Sequence, residues 1–512
     1  MSTQQDFPRI GVVGAGAMGR GIAQLFAQAG HEIVLCDSQP EATAAALQAI
    51  GATFERLAEK GRMTSAEAQA ARARITSIER LESLAGCDLV IEAIIERLDA
   101  KRLLFERLEN IVAPDAVLAT NTSSLSVTAI AAACSRPERV AGIHFFNPVP
   151  LMKVVEVIRG VRSDDSVIER LISLVSASGH RPVVASDTPG FLVNHAGRGY
   201  GTEALKALGE GVSDAVTIDR ILREQVSFNG SGFRLGPFEL LDLTALDVSH
   251  PVMESIYRQF YDEARFRPSV ITAQRLAGGL LGRKSGEGFY RYVDGKQLVD
   301  PEAPVPAAAS MPPVWVRAAD ARGKLLAETA QELGAKVETG AQPSDQALIL
   351  LAPLGEDATA ASVGLDASRC VAIDTLFAFA ARSCKRRVLM PTPATRAEFL
   401  AAACALFAAD GAAVSVLRDS PGFVAQRVVA MIVAIGCEIA QQRIAAPADI
   451  DAAVRAGLGY PAGPLEMGDL IGPATIVAIL EGMHAVTADP RYRPSQWLRR
   501  RALLGLTLQH QD

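Results

Sequence analysis

Along the first 190 residues, apolar positions gather into short runs separated by amphipathic stretches. Residues 9–13, 32–36, 89–93, 117–120, 140–146 and 154–158 are such runs, rich in β-branched side chains. That pattern predicts strands buried on both faces. Between them, residues 18–29 and 100–111 repeat apolar positions at helical spacing, and residues 43–75 predict a charged helical hairpin broken at Gly61. Alternation of this kind predicts a mostly parallel sheet covered by helices. From Pro189 to about residue 285 the pattern is helical, and residues 300–313 are rich in proline and alanine, as a linker is. Strand and helix alternate again from 314 to 416, and helices return after Pro421.

The order α/β, α, linker, α/β, α suggests an internal duplication, and particular residues repeat. Asp187-Thr188-Pro189-Gly190-Phe191 recurs as Asp419-Ser420-Pro421-Gly422-Phe423, Gly236-Pro237-Phe238-Glu239 as Gly463-Pro464-Leu465-Glu466, and Arg265-Phe266-Arg267-Pro268-Ser269 as Arg491-Tyr492-Arg493-Pro494-Ser495. The offsets are 232, 227 and 226 residues. The expected division is 1–186, 187–295, a linker at 296–313, then 314–417 and 418–512.

Composition narrows the function classes. A net charge of −6 gives no basic field for a phosphate backbone, so nucleic acid is not an expected partner. The seven cysteines form no Cys-x-x-Cys pair, so neither a disulfide framework nor a metal site is expected. Residues 1–10 lack the apolar core of a signal peptide. The longest apolar run, 428–437, is about half of what a membrane span needs. A cytoplasmic protein without a membrane anchor is the expectation.

The first strand is followed by Gly14-Ala15-Gly16-Ala17-Met18-Gly19. This G-x-G-x-x-G, placed between a strand and a helix, is the dinucleotide fingerprint. Gly14 permits the tight turn, Gly16 lets the backbone approach a pyrophosphate, and Gly19 lets helix and strand pack closely. Met18 lies inside the motif, at the helix start that would face the phosphates. Asp37 ends the second strand, at the place of the acid that binds the ribose hydroxyls, and its charge favours NAD over NADP. A ligand-free glycine turn is the competing reading.

A second constellation suggests acid–base chemistry. If residues 140–146 and 154–158 pair around a turn at about position 150, His144 faces Glu156. The carboxylate would hold one ring nitrogen and leave the other to exchange a proton with a substrate hydroxyl. A structural histidine beside a solvated glutamate is the alternative. Asn121 and Ser123 follow a strand, at the edge where open α/β sheets bind ligands, or they are only a helix cap. Asn194 is a polar residue in an apolar helical stretch, equally readable as a satisfied core amide.

At these motifs the sequence resembles the 3-hydroxyacyl-CoA dehydrogenase family, and more closely its long bacterial form, which includes 3-hydroxybutyryl-CoA and 3-hydroxyadipyl-CoA dehydrogenases. The resemblance rests on the Gly14 fingerprint, Ile91-Glu92-Ala93, Asn121-Thr122-Ser123-Ser124, His144-Phe145-Phe146-Asn147-Pro148, Asp187 to Phe191, and Gly236-Pro237-Phe238-Glu239. It implies an α/β Rossmann NAD-binding domain plus an all-α C-terminal domain, the pair repeated in degenerate form. It implies an NAD cofactor, an acyl-CoA substrate, and a place in fatty-acid or phenylacetate-type catabolism. By resemblance His144 is the acid–base group, Glu156 its orienting partner, and Ser123 and Asn194 the groups on the reacting oxygen. Glu96, Lys101 and Asn121 match positions lining the nicotinamide half of the cofactor site, and Lys60 a position near the CoA phosphates. The sequence departs from the family at His195, where the family usually has arginine.

The second half lacks these groups. After residues 314–317 no complete glycine fingerprint follows, Asp374-Thr375-Leu376 stands where Asn121-Thr122-Ser123 would recur, and Gln426 stands for Asn194. The expectation is a catalytically silent copy whose helical region packs on the first as an internal pseudo-dimer, with or without a homodimer around it. Two rival functions remain open at this point: a dehydrogenase of a free hydroxy acid, and a silent NAD-binding scaffold.

Overall fold

The computed structural model describes residues 7–510; the part of the signal-peptide reading that falls on residues 1–6 lies outside them. The chain forms two compact units. One comprises Met1–His195 with Gln442–Leu458, and the other Ala196–Gln441 with Gly459–Asp512.

The first unit is built on eight strands: β1 (Arg9–Val13), β2 (Glu32–Cys36), β3 (Ile75–Ile78), β4 (Leu89–Glu92), β5 (Val117–Thr120), β6 (Val140–Phe145), β7 (Val154–Arg159) and β8 (Arg181–Ser186). They lie in the order β3-β2-β1-β4-β5-β6-β7-β8. All neighbours are parallel except β6 and β7. The central strands are buried along their whole length because helices cover both faces. The helices Ala17–Gln28, Pro40–Glu59 and Leu98–Glu109 follow the predicted pattern within two or three residues at most ends. Two strands escape the pattern. β3 carries polar Thr76 and Ser77 and runs on from the helical hairpin, and β8 is an edge strand half open to solvent.

The second unit contains a hairpin of β9 (Arg291–Val293) and β10 (Lys296–Leu298), then β11 (Val314–Val316), β12 (Leu348–Leu351), β13 (Cys370–Ile373), β14 (Arg386–Pro391) and β15 (Ala413–Val416). The hairpin falls where helix giving way to linker is expected. Its turn is Asp294-Gly295, both at positive φ, a two-residue turn chemistry that matches strand twist. β11 to β15 form one sheet in chain order, with β13 and β14 antiparallel. The helix Ala425–Gln441 is buried almost throughout and packs against Arg198–Gly209, Pro464–Ile471 and Pro473–Thr487.

Candidate active site

The glycine loop is shaped by close approach. Gly14 has φ +109, and a Cβ there would stand 2.4 Å from the Ala93 carbonyl oxygen. A Cβ on Gly19 would stand 1.8 Å from the Gly14 carbonyl oxygen. At Gly16 the contrast is complete: nothing lies within 4 Å of where its Cβ would be. Gly16 caps the helix Ala17–Gln28, which has no side-chain cap and no acidic residue in its first turn. Its first amide N–H groups are therefore available to an anion. Met18 is half-buried against the core beneath this turn. Asp37 Oδ2 accepts the Ala15 N–H at 2.7 Å and Oδ1 the Gln39 N–H at 3.0 Å. The acid thus orders the glycine loop itself, a role the sequence does not display. A cleft of about 750 Å³ opens here, lined by Gly14, Gly16, Asp37, Ile94, Leu104 and Arg107. The open space at Gly16, the uncapped helix and the adjacent acid fit a dinucleotide.

Behind the next strand ends lies a buried charge network. Lys101, 1% exposed, places Nζ 2.5 Å from Glu92 Oε1 and 3.3 Å from Glu96 Oε2. Glu92 also accepts the Thr120 hydroxyl and the Ile94 N–H, each at 2.7 Å. Glu96 Oε1 in turn accepts the Thr122 hydroxyl at 2.6 Å and the backbone N–H groups of Ser123 at 2.9 Å and Ser124 at 3.1 Å. Burial pushes the Glu96 carboxyl up, but Thr122, the Lys101 charge and the loop N–H groups outweigh it and hold it below its ordinary value. Asn121 Oδ1 accepts the Phe145 N–H at 2.9 Å and so ties the end of β5 to the end of β6. Glu92, which the sequence offers only as part of a motif, anchors this network.

The antiparallel pairing of β6 and β7 puts His144 opposite Glu156. The ring Nδ1 lies 2.5 Å from Glu156 Oε2. The other carboxylate oxygen accepts the N–H groups of Leu192 at 3.0 Å and Val193 at 2.8 Å. Glu156 is fully buried and His144 nearly so, with Phe146 and Phe191 against the ring. With Nδ1 engaged, Nε2 is the nitrogen that remains for proton transfer. Ser123, half-buried, sits in the loop after β5, next in the sheet to β6, and Asn194 directly follows Val193. The structure therefore gathers Glu96, Lys101, Asn121, Ser123, His144, Glu156 and Asn194 around the ends of β4 to β7. Lys60 is not among them: it is the exposed C-cap of Pro40–Glu59, and the cleft between that helix and Ser65–Ala73 is lined by Glu55, Glu59 and Arg72 instead. Asp187, which the sequence offers only as part of a repeated motif, accepts the Ser126 hydroxyl and the N–H groups of Val127 and Thr128, fixing the helix that follows the Ser123 loop.

In the second unit the corresponding places are closed. Asp320 caps the helix after β11, accepting the Gly323 N–H at 2.9 Å, where Gly16 leaves its helix open. A Cβ on Gly323 would meet the Arg317 carbonyl oxygen at 2.4 Å, as Gly19 meets its own loop. Asp374 does not occupy the Asn121–Ser123 place expected from the sequence. It follows β13, the partner of antiparallel β14, and its N–H donates to the Val388 carbonyl at 3.0 Å; that is the place His144 holds opposite Glu156. The loop after β12 is the one that leads to the Asp419-capped helix at Ala358 and Thr359, as the Ser123 loop leads to the Asp187-capped one. Gln426 donates to Asp374 Oδ1 at 3.0 Å and accepts the Gly355 N–H at 2.9 Å.

Comparison with known proteins follows the same lines. Residues 9–188 match the 3-hydroxyacyl-CoA dehydrogenase NAD binding domain. Residues 190–292 and 422–510 each match the C-terminal domain of 3-hydroxyacyl-CoA dehydrogenase. The chain is 37% identical over 496 residues to 3-hydroxyadipyl-CoA dehydrogenase of Escherichia coli (strain K12), covering 97% of each chain. It is 39% identical to a probable 3-hydroxybutyryl-CoA dehydrogenase of Deinococcus radiodurans over 56% of this chain and 100% of that one. The crystal structure of an Escherichia coli K12 3-hydroxybutyryl-CoA dehydrogenase superposes with a TM-score of 0.84 at 35% identity, covering 97% of this chain and 98% of that one.

Proposed function

Given that this chain belongs to the 3-hydroxyacyl-CoA dehydrogenase family, we propose that it oxidises (S)-3-hydroxyacyl-CoA to 3-oxoacyl-CoA, with 3-hydroxybutyryl-CoA or 3-hydroxyadipyl-CoA as substrate. It is an NAD-dependent oxidoreductase. The observation that carries the proposal is the His144–Glu156 pair at the ends of strands in the same sheet as the open glycine loop after β1.

NAD⁺, when bound, supplies the hydride acceptor, and Gly14, Gly16, Gly19 and Asp37 would hold its adenosine and diphosphate half. In oxidation, His144 Nε2 takes the proton of the C3 hydroxyl. Glu156, held by two backbone N–H groups, fixes the ring and balances the imidazolium. Ser123 and Asn194 donate to the oxygen as it becomes a carbonyl, an interaction that strengthens with developing charge. Glu96 and Lys101 keep the Ser123 loop in place. In the reverse direction His144 returns the proton.

In the same reading the second half is a degenerate copy of the first, and its helical part serves as an internal partner to Ala196 and the helices that follow. Fatty-acid or phenylacetate-type catabolism in the cytoplasm is the proposed setting. All seven cysteines are free, which suits a reducing compartment. No single helix among the described residues is long and apolar enough to cross a membrane. The test is NADH consumption with 3-oxoacyl-CoA thioesters set against the free 3-oxo acids. Turnover confined to the thioesters supports the proposal; turnover of the free acids contradicts it.

A further inference from the structure

The outer strands of the catalytic sheet are covered by residues from far along the chain. Helix Pro447–Leu458 belongs to the same compact unit as His144 and Glu156 and packs on β7 and β8. The Ser186 N–H donates to the Ile444 carbonyl at 2.8 Å, and the Asp449 carboxyl accepts a hydrogen bond from the Val184 backbone. Near the end of this helix stands Gly457. A Cβ there would lie 2.9 Å from Val193 Cγ1, 3.2 Å from Val193 Cγ2 and 3.6 Å from Val154 Cγ1. Val193 is buried and β-branched, so its side chain has little freedom to turn aside. Its N–H is one of the two that hold Glu156 Oε1.

The second unit shows what a side chain does at the corresponding place. There the Arg418 N–H donates to the Val212 carbonyl at 3.0 Å. Positions 186 and 418, and likewise 212 and 444, are 232 apart. Helix Ala215–Glu224 packs on β14 in that unit. The residue 232 before Gly457 is Gln225, buried, with its side chain hydrogen-bonded to Asp374, which holds the His144 place. So the position filled by glutamine beside the closed site is left empty beside the open one.

We infer that Gly457 is a positioning residue for catalysis: its missing side chain lets helix Pro447–Leu458 seat on Val193, which fixes the Glu156 carboxylate and through it the His144 ring. The inference takes its activity readout from the dehydrogenase reading. A carbon at 2.9 Å is well inside normal contact, so an added methyl must displace Val193 or lift the helix. An active site that loses its alignment by fractions of an ångström loses rate while binding persists. Alanine also favours a helix over glycine, so the change acts on alignment without weakening the helix itself.

The experiment compares the full-length wild type, Gly457→Ala and Val193→Ala/Gly457→Ala. Expected for Gly457→Ala is a fall in kcat on the order of tenfold or more, with unchanged NADH affinity and a moved NMR resonance for the His144 Nδ1 proton. The double variant, which removes both crowded methyl groups, recovers most of the rate and the resonance. A single variant with wild-type kcat and resonance overturns the inference, as does a loss that the double variant fails to recover. If the wild type turns over no acyl-CoA, the dehydrogenase reading fails, and the resonance still decides the positioning claim.

Discussion

The guanidinium of Arg427 lies 2.8 Å from the Glu203 carboxylate, and both side chains are wholly buried. Arg491 reaches the other oxygen at 3.2 Å and the Tyr492 hydroxyl donates at 2.7 Å. Burial pushes Glu203 up, but the two arginine charges outweigh it and hold its carboxyl below its usual range. The pair joins Arg198–Gly209 to Ala425–Gln441, one helix from each of the two stretches that match the family's C-terminal domain. Removing Arg427 leaves the buried Glu203 with Arg491 as its one remaining guanidinium partner, so Arg427→Met should destabilise the protein by about 3 kcal/mol, the low end for a broken buried pair. Denaturant unfolding checks this.

Asp219 gives a pH dependence. Burial raises its carboxyl to about 7, against the hydrogen bonds it accepts from the Phe238 and Glu239 N–H groups and the Tyr290 hydroxyl. The folded state therefore holds a proton that the unfolded chain releases near 3.8. Stability from this group is complete below that value and is lost as pH rises toward about 7. Thermal unfolding followed across that interval should show the decline, and Asp219→Asn should flatten it.

Asp37 should matter twice. Asp37→Ala removes the acceptor for the Ala15 and Gln39 N–H groups as well as the carboxylate proposed to bind the cofactor's ribose. Hydrogen bonds to a charged acceptor are worth about 1.5–3 kcal/mol. NADH affinity should fall by about tenfold or more, and preference over NADPH should narrow. Titration of protein fluorescence with each cofactor measures both effects.

The C-terminal half should be indispensable to a monomer. A fragment ending near residue 295 loses Ala425–Gln441, which covers Arg198–Gly209, and loses the helix over β7 and β8. It should aggregate or form an obligate dimer in which a second copy supplies the missing surfaces. Sedimentation of the fragment tests this, and a well-behaved monomer contradicts it.

Much of this site is legible in the sequence because it rests on local patterns. β1, β2 and β5 match their predicted bounds, since continuous apolar runs leave few alternatives. The His144–Glu156 register follows from two strands and the short connection between them. β3 and β8 leave no long apolar run in the sequence, because their polar residues reflect position in the sheet, which a local window does not contain. The two N–H groups that hold Glu156 come from backbone 36 and 37 residues away and have no side-chain signature. The same holds for Asp37, whose bond to Ala15 spans 22 residues. Asp374 follows the strand next to the one its motif spacing predicts, because only strand pairing, and not distance along the chain, fixes which residue it corresponds to.

The most direct test is NADH oxidation with acetoacetyl-CoA and 3-oxoadipyl-CoA by the wild type and His144→Ala. Thioester-dependent turnover should fall by about 10² to 10⁴-fold in the variant, while NADH binding stays the same because the proposed cofactor contacts lie elsewhere. Equal turnover by both proteins, or NADH binding by the wild type without turnover of either thioester, would contradict it.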